Sequence, residues 1–372
     1  MPFDRLVGQE EAVRVLRGCL SSSRIGHAYL FYGPAGTGKS LAANLFAQAI
    51  NCDAGGPDAC GRCLSCVRTE HGSHPDLHIL APGTEKGENV GIQQMRDLRS
   101  DVHLRPSLGR RKVYIVPEAE RLSPPATHTV LKTLEEPPPY VTIILIAPDP
   151  ADLLPTVVSR CQLVRFTPEP VDVVTDALVA RGVPRETAML AAAYAEGRVG
   201  AAIRLAADTA ELARRAKVLD LLQGLANADR RSALRLAEDL QKLGATARRP
   251  KAADAPGDTT AEPDLADSDE DGDEEMGAVA PASKSDLQSV VDVAASWYRD
   301  LLLMKAAGPD AAVRNVDRLD ALRSAAHSLD SDYLQRALDA LVRTRYYLDR
   351  NANARLAMER LVLALAPEWP RT

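Results

Sequence analysis

The run HAYLFYGPAGTGKSLAANLFAQAI, residues 27–50, decides the fold. Its first seven residues, His27–Gly33, read as a buried strand that enters a glycine loop. The loop GPAGTGKS, Gly33–Ser40, fits G-x-x-x-x-G-K-[ST] at every fixed position, and a helical pattern continues from Lys39 to Ile50. Strand, loop and helix in that order make a phosphate cradle. Gly33, Gly36 and Gly38 let backbone N–H groups converge on phosphate oxygens, and the helix N-terminus adds partial positive charge. Lys39 neutralises the β- and γ-phosphates, and the Ser40 hydroxyl can reach Mg²⁺. ATP with Mg²⁺ is the ligand this loop implies; an intact loop that is never filled is the alternative.

Outward from this run lie DLHIL (Asp76–Leu80), KVYIV (Lys112–Val116) and VTIILIA (Val141–Ala147), short and rich in β-branched residues, with helical patterns between them. Strands alternating with helices predict an α/β module over residues 1–166, a parallel sheet covered on both faces. In LSPPATHTVLKTLEEPPP, Ser123 is placed to cap a helix, Pro124 to occupy its first turn and Pro137 to end it. Beyond Pro168 the strand patterns stop. Residues 167–243 are rich in Ala, Leu and Arg at helical spacing, a small helical domain with part of a following helical layer. Residues 286–372 are helical again, so an all-α part follows the α/β part.

Between them, residues 248–285 combine Pro, Gly, Thr and acids with almost no large apolar side chains, which predicts a disordered acidic linker. A solvated spacer is one reading of it, and an electrostatic mimic that competes for a basic groove is the other. Residues 252–283 hold eleven Asp or Glu and no Lys or Arg, so the remainder of a chain of net charge −6 stands at +5. That mild excess is compatible with a polyanionic partner without demonstrating one. The N-terminus has no basic start followed by an apolar core, and no apolar run approaches the roughly 18 residues of a membrane helix. The expected location is the cytoplasm.

Four of the six cysteines, Cys52, Cys60, Cys63 and Cys66, follow C-x₇-C-x₂-C-x₂-C. In a reducing compartment, two overlapping C-x-x-C turns plus one preceding cysteine can supply four thiolates to a tetrahedral Zn²⁺. A full thiolate shell leaves no position for water, so the site is structural. His71, His74 and His78 follow closely as substitute ligands, and metal-free reduced thiols are the plain alternative.

KVYIVPEAERL, residues 112–122, complicates the phosphate loop. A nucleotide hydrolase commonly ends this strand on an aspartate that helps hold Mg²⁺. Here Pro117 stands in front of Glu118, and Glu120 follows two residues later.

Together, the phosphate loop, the four-cysteine insertion, LKTLEEPP (Leu131–Pro138) and SRC (Ser159–Cys161) resemble the bacterial clamp-loader subunits of DNA polymerase III. These are AAA+ ATPases that load the sliding clamp onto primer–template DNA. The resemblance covers the AAA+ module (1–166, zinc insertion 52–66) and a helical lid (167–243). NANARLAMERLVLAL is similar to the family's collar, the oligomerisation domain. In that family one subunit supplies the phosphate loop, and its neighbour supplies the arginine of Ser-Arg-Cys. The resemblance thus implies that Arg160 is an arginine finger acting in trans; a surface ion pair is the bland reading.

Several departures bear on activity. Pro117 replaces the aspartate of the motor subunits, and Ala147-Pro148 replaces a polar sensor. A lid arginine that contacts nucleotide falls on Gly200, with Arg198 and Arg204 nearby. Glu118 remains as a vestigial base or as a helix-capping acid. The pattern resembles the delta-prime, or stator, class, with little or no hydrolysis of its own and a role in completing a neighbour's site. The partners this implies are tau/gamma motor subunits and the delta subunit, with clamp and DNA reached through the complex. A tau/gamma-type motor and a zinc-stabilised DNA-binding protein, using RPSLGRRK (Arg105–Lys112), are the competing readings.

Overall fold

The computed structural model describes residues 2–22, 24–81, 98, 100–225, 230–245, 284–309, 311–350 and 352–366. Nearly all of the acidic segment expected as a linker lies outside these residues. They form two compact units, Met1–Ala207 and Asp208–Thr372.

The first unit contains a sheet of five parallel strands among the described residues: β1 (Ala28–Tyr32), β2 (Leu77–Ile79), β3 (Lys112–Val116), β4 (Val141–Ala147) and β5 (Gln162–Arg165). Their spatial order is β2-β3-β4-β1-β5, which places β1 between β4 and β5. The register pairs Leu30 with Leu145 on one side and with Leu163 on the other. Alternate residues feed two cores, as a pleat with period two requires. Tyr29, Phe31, Ile144 and Ile146 join one core, while Ala28, Leu30, Ile143 and Leu145 join the other.

The chain has few aromatic residues, and it spends them here. All four phenylalanines, Phe3, Phe31, Phe46 and Phe166, lie in the first core. The Tyr29 and Phe46 rings meet edge-on at 5.0 Å, and Phe31 and Phe166 are 5.3 Å apart. The contacts of Phe46 with Tyr29 and, at 6.4 Å, with Phe31 clamp α2 (Lys39–Ile50) onto β1, so the loop joining them has two rigid ends.

Around the sheet lie α1 (Glu10–Ser21), α3 (Leu64–Glu70), α4 (Pro124–Glu135) and the short α5 (Pro155–Val158). Helix α4 begins as expected with Ser123 at its cap and Pro124 next, but the Ser123 hydroxyl makes no capping bond. Pro125, at the second helical position, has no N–H, which removes one of the two donors that a cap accepts from. The strand β5 was not marked by the sequence. It is an edge strand with three of its four residues exposed, so it lacks the apolar run that identified the others. Helices α6 (Val171–Val179), α7 (Arg185–Tyr194) and α8 (Val199–Ala207) complete the unit around a small alanine-rich core.

One buried carboxylate organises the basic loop before β3. Asp76, fully buried, accepts backbone N–H bonds from Ser107 at 2.6 Å, Leu108 at 2.8 Å and Gly109 at 2.6 Å. Burial alone would raise its pKa, but the donors of Gly109, Ser107 and Leu108 bring it below the ordinary 3.8. A depressed carboxylate contributes stability above its unfolded value and loses it as pH falls through the folded one. Asp76→Ala is expected to cost about 3 kcal/mol at neutral pH. The melting temperature should then fall by roughly 10 °C, and the gap to wild type should narrow below about pH 4. A gap that is flat with pH would refute the charge-based account.

The second unit is helical: α9 (Thr209–Leu225), α10 (Arg230–Ala245), α11 (Lys284–Ala307), α12 (Leu319–Ser328), α13 (Ser331–Asp349) and α14 (Ala354–Leu365). Leu219, Leu222, Trp297, Leu301, Leu341 and Leu361 are buried within it. Arg215 is 2 % exposed and reaches Asp317 Oδ1 at 2.8 Å and Asn315 Oδ1 at 2.6 Å, tying α9 to the loop before α12.

Candidate functional site

The loop Gly33–Ser40 leaves the C-terminal end of β1, beside the ends of β3 and β4. In a parallel sheet this edge is where ligands bind, because crossovers open a crevice there. Gly33 has φ 138°, and a Cβ at this position would lie 2.0 Å from the Phe166 carbonyl oxygen, so no other residue fits. Its N–H donates to the Pro148 carbonyl at 3.0 Å, which fixes the loop to the end of β4. Lys39 folds back over the loop, donating to Gly33 O at 2.5 Å and Pro34 O at 2.8 Å. Burial lowers the pKa of this ammonium, and the field of Glu120 opposes the shift.

A cavity of about 400 Å³ opens in front of the loop. Its walls include Gly36, Gly38, Lys39 and Ser40 from the loop and α2, and Pro117, Glu118 and Glu120 from the exit of β3. Pro148 closes one side, and Gly200 and Arg204 come from α8. The loop glycines, Lys39 and Ser40 are thus assembled as a triphosphate and its cation require, and the donor set fits that ligand. Arg5, Leu6 and Val7 also line the cavity. No motif marks them in the sequence, because only tertiary packing brings them there.

Glu118 sits in a left-handed conformation at φ 52° and pairs with Arg121 at 2.5 Å, its side chain half exposed. Glu120 is different. Its Oε2 is buried and has no hydrogen-bond partner among the described residues. Burial raises its pKa, with Glu118 and Asp152 adding to the rise and Lys39 opposing it.

Helix α8 meets the loop through backbone. Gly200 N–H donates to Gly36 O at 2.8 Å, and a Cβ on Gly200 would come within 3.1 Å of that oxygen. A side chain at 200 would require this close contact to open by a few tenths of an ångström. Arg198 is directed elsewhere, its Nε donating to Ala195 O at 2.9 Å.

Arg160 is not among the residues lining the cavity of its own chain. It follows α5, donates to Thr156 O at 2.9 Å and pairs with Glu135 Oε1 at 3.1 Å, with 36 % of its side chain exposed.

The four cysteines converge. The sulfurs of Cys52, Cys60, Cys63 and Cys66 all lie within 4.8 Å of one another, with Cys60 and Cys66 Sγ 3.9 Å apart. A tetrahedral site with Zn–S of about 2.3 Å places sulfurs roughly 3.8 Å apart, so the donors fit a divalent metal. Backbone N–H groups of Cys60, Cys63 and Cys66 point at Cys52, Cys60 and Cys63 sulfur respectively. Such bonds, from Arg62 and Cys63, hold the Cys60 thiol down at about 6. Burial pushes the Cys63 and Cys66 thiols up. The neighbouring histidines do not join this group. His74 bonds Ser65 Oγ through Nε2 at 2.9 Å and accepts Asp76 N–H at Nδ1, while His78 stacks on Tyr114.

Two family models match, both described as "DNA polymerase III, delta subunit": one over residues 8–170 and a C-terminal one over 274–366. The chain is 34% identical to DNA polymerase III subunit delta' of Bacillus subtilis over 217 residues, 58% of this chain and 65% of that protein. It is 39% identical to subunit tau of the same organism over 165 residues, 44% of this chain and 29% of that protein. With Escherichia coli subunit tau the identity is 39% over 160 residues, 43% of this chain and 24% of that protein. The chain therefore spans less than two thirds of the length of these curated relatives. With one match on the sheet-bearing part and another on the C-terminal helices, the chain belongs to the clamp-loader subunits of DNA polymerase III.

Proposed function

We propose that this chain is the delta-prime, or stator, subunit of the loader: a part that holds nucleotide with little or no hydrolysis and lends Arg160 to a neighbouring motor subunit. The observation that carries this reading is the exit of β3. Pro117 offers no ligand to a metal, and Glu118 is drawn to Arg121 rather than left free to activate water. At the end of β4, Ala147 and Pro148 provide no polar side chain toward a γ-phosphate. Arg160, by contrast, is partly exposed and lies outside its own cavity, as a group acting on another subunit must. The cysteine cluster holds structural Zn²⁺ in this reading, and tau/gamma, delta, clamp and primed DNA are the partners.

The 39% identity to tau over the sheet-bearing part favours a second reading, a motor subunit. Steady-state ATPase of the purified chain separates the two. The stator is expected to show no turnover alone but to stimulate an assembly of motor and delta subunits. Turnover by the chain alone that Lys39→Ala abolishes would establish the motor instead. For nucleotide binding, Lys39→Ala is expected to weaken affinity by roughly 10- to 100-fold, the value of a charge-assisted contact to phosphate. Calorimetric titration measures it, and unchanged affinity would remove the phosphate loop from the site.

A further inference from the structure

A phosphate-loop site uses two charges besides its lysine. A carboxylate helps hold the divalent cation, and a cationic side chain faces the phosphates. Neither stands where the sequence places it, at 117 and 200. Proline occupies the first position and glycine the second, where a Cβ would lie 3.1 Å from Gly36 O. Yet each charge has a counterpart a short step downstream in the same cavity wall.

Glu120 lies one tight turn beyond Pro117 and shares the cavity with Lys39 and Ser40. Its buried Oε2 has no partner among the described residues, although a carboxylate oxygen withdrawn from water ordinarily finds one. Glu118, paired with Arg121 and half exposed, has no such vacancy. Arg204 lies four residues beyond Gly200 on α8, one turn along the same helix face. It lines the cavity and forms no ion pair among the described residues.

We propose that these charges are relocated rather than lost: Glu120 takes the divalent cation of a bound nucleoside triphosphate, and Arg204 faces its phosphates. The proposal rests on reading the phosphate loop as a nucleotide site. Its consequence is a site that binds metal–nucleotide as a structural ligand without splitting it. Holding the cation needs Glu120, whereas splitting needs a free base and a polar group at the end of β4, and both are missing.

The test is equilibrium titration of the full chain with a fluorescent ATP analogue, in EDTA and in Mg²⁺. Mg²⁺ is expected to tighten wild-type binding about tenfold or more. Glu120→Gln should erase that gain while leaving affinity in EDTA unchanged or slightly better, since a repelling carboxylate is gone. Glu120→Asp, which keeps the charge, should retain part of the gain, and this separates loss of a ligand from misfolding. Mn²⁺ bound beside a non-hydrolysable triphosphate, read by electron paramagnetic resonance, should disappear in Glu120→Gln. Arg204→Ala should weaken binding about tenfold in both buffers. Metal tightening that survives Glu120→Gln, or unchanged affinity in Arg204→Ala, overturns that residue's assignment and leaves the nucleotide site standing. No binding by the wild type overturns the site and the proposal together.

Discussion

On the proposed stator role, replacing Arg160 by alanine is expected to leave this chain's own nucleotide affinity within about twofold and to stop hydrolysis at a neighbouring motor site. An arginine finger in trans is worth about 10³-fold or more in turnover, because it meets charge that develops only as the phosphoryl group transfers. The geometry suits that role. Arg160 reaches Glu135 Oε1 at 3.1 Å with both side chains partly in solvent. An exposed pair of this kind contributes at most about 1 kcal/mol, so it orients the guanidinium without trapping it. A neighbour's triphosphate is a far stronger anionic partner than one carboxylate.

The measurement is ATP turnover by the reconstituted assembly with clamp and primed DNA, comparing wild type with Arg160→Ala. Loss of turnover with an unchanged melting temperature identifies a functional contact, since the surface pair alone supports little stability. Wild-type turnover in the Arg160→Ala assembly would remove the residue from any neighbour's site. Glu135→Gln is the companion variant. It frees Arg160, so turnover should hold steady or rise, whereas a purely structural pair would give two variants with the same small defect.

Much of this was legible in the sequence, and the limits of legibility have physical causes. The β1–loop–α2 unit could be read because its information is local: a run of apolar residues, glycines at fixed spacing, and a helical repeat. Strand β5 could not, because an edge strand with exposed Gln162, Leu163 and Arg165 carries no such run. The cysteine spacing pointed to one cluster, yet only coordinates show that His74 is engaged by Ser65 and Asp76 rather than by the sulfurs. Gly200 read as the loss of an arginine. What it gains there, a backbone bond to Gly36 O at close approach, is a contact between residues more than 160 positions apart in sequence. The helical stretch from 167 to 243 showed periodicity but not its neighbours. Residues up to Ala207 group with the sheet, and α9 and α10 lie in the second unit.

Removing the metal is expected to have the largest effect on stability. The insertion between α2 and β2 has little regular structure beyond α3, and Ala59 is its one buried apolar residue besides Cys52 and Cys66 among the described residues. Cys52 and Cys66 are fully buried and lie within the same core as Phe46 and Phe166, so the site is continuous with the packing beneath the phosphate loop. Without a cation, four sulfurs held within 4.8 Å of one another must either stay protonated in an apolar setting or repel as thiolates. Structural zinc sites in small domains contribute about 10–16 kcal/mol of binding free energy, which is folding free energy where no site exists in the unfolded chain. Here the core also holds Tyr29, Phe31, Phe46 and Phe166 from outside the insertion, so only part of that is at stake. A loss of roughly 5 kcal/mol lowers the melting temperature by about 10–20 °C. Chelation and Cys66→Ser should give the same shift and should not add, because both empty one site. Acid should mimic both: burial favours the protonated thiol at Cys63 and Cys66, so metal binding displaces protons there and affinity falls as pH falls. Elemental analysis showing one zinc per chain, lost together with the melting shift, would establish the site; protein that melts unchanged after complete chelation would reduce the cluster to four packed thiols.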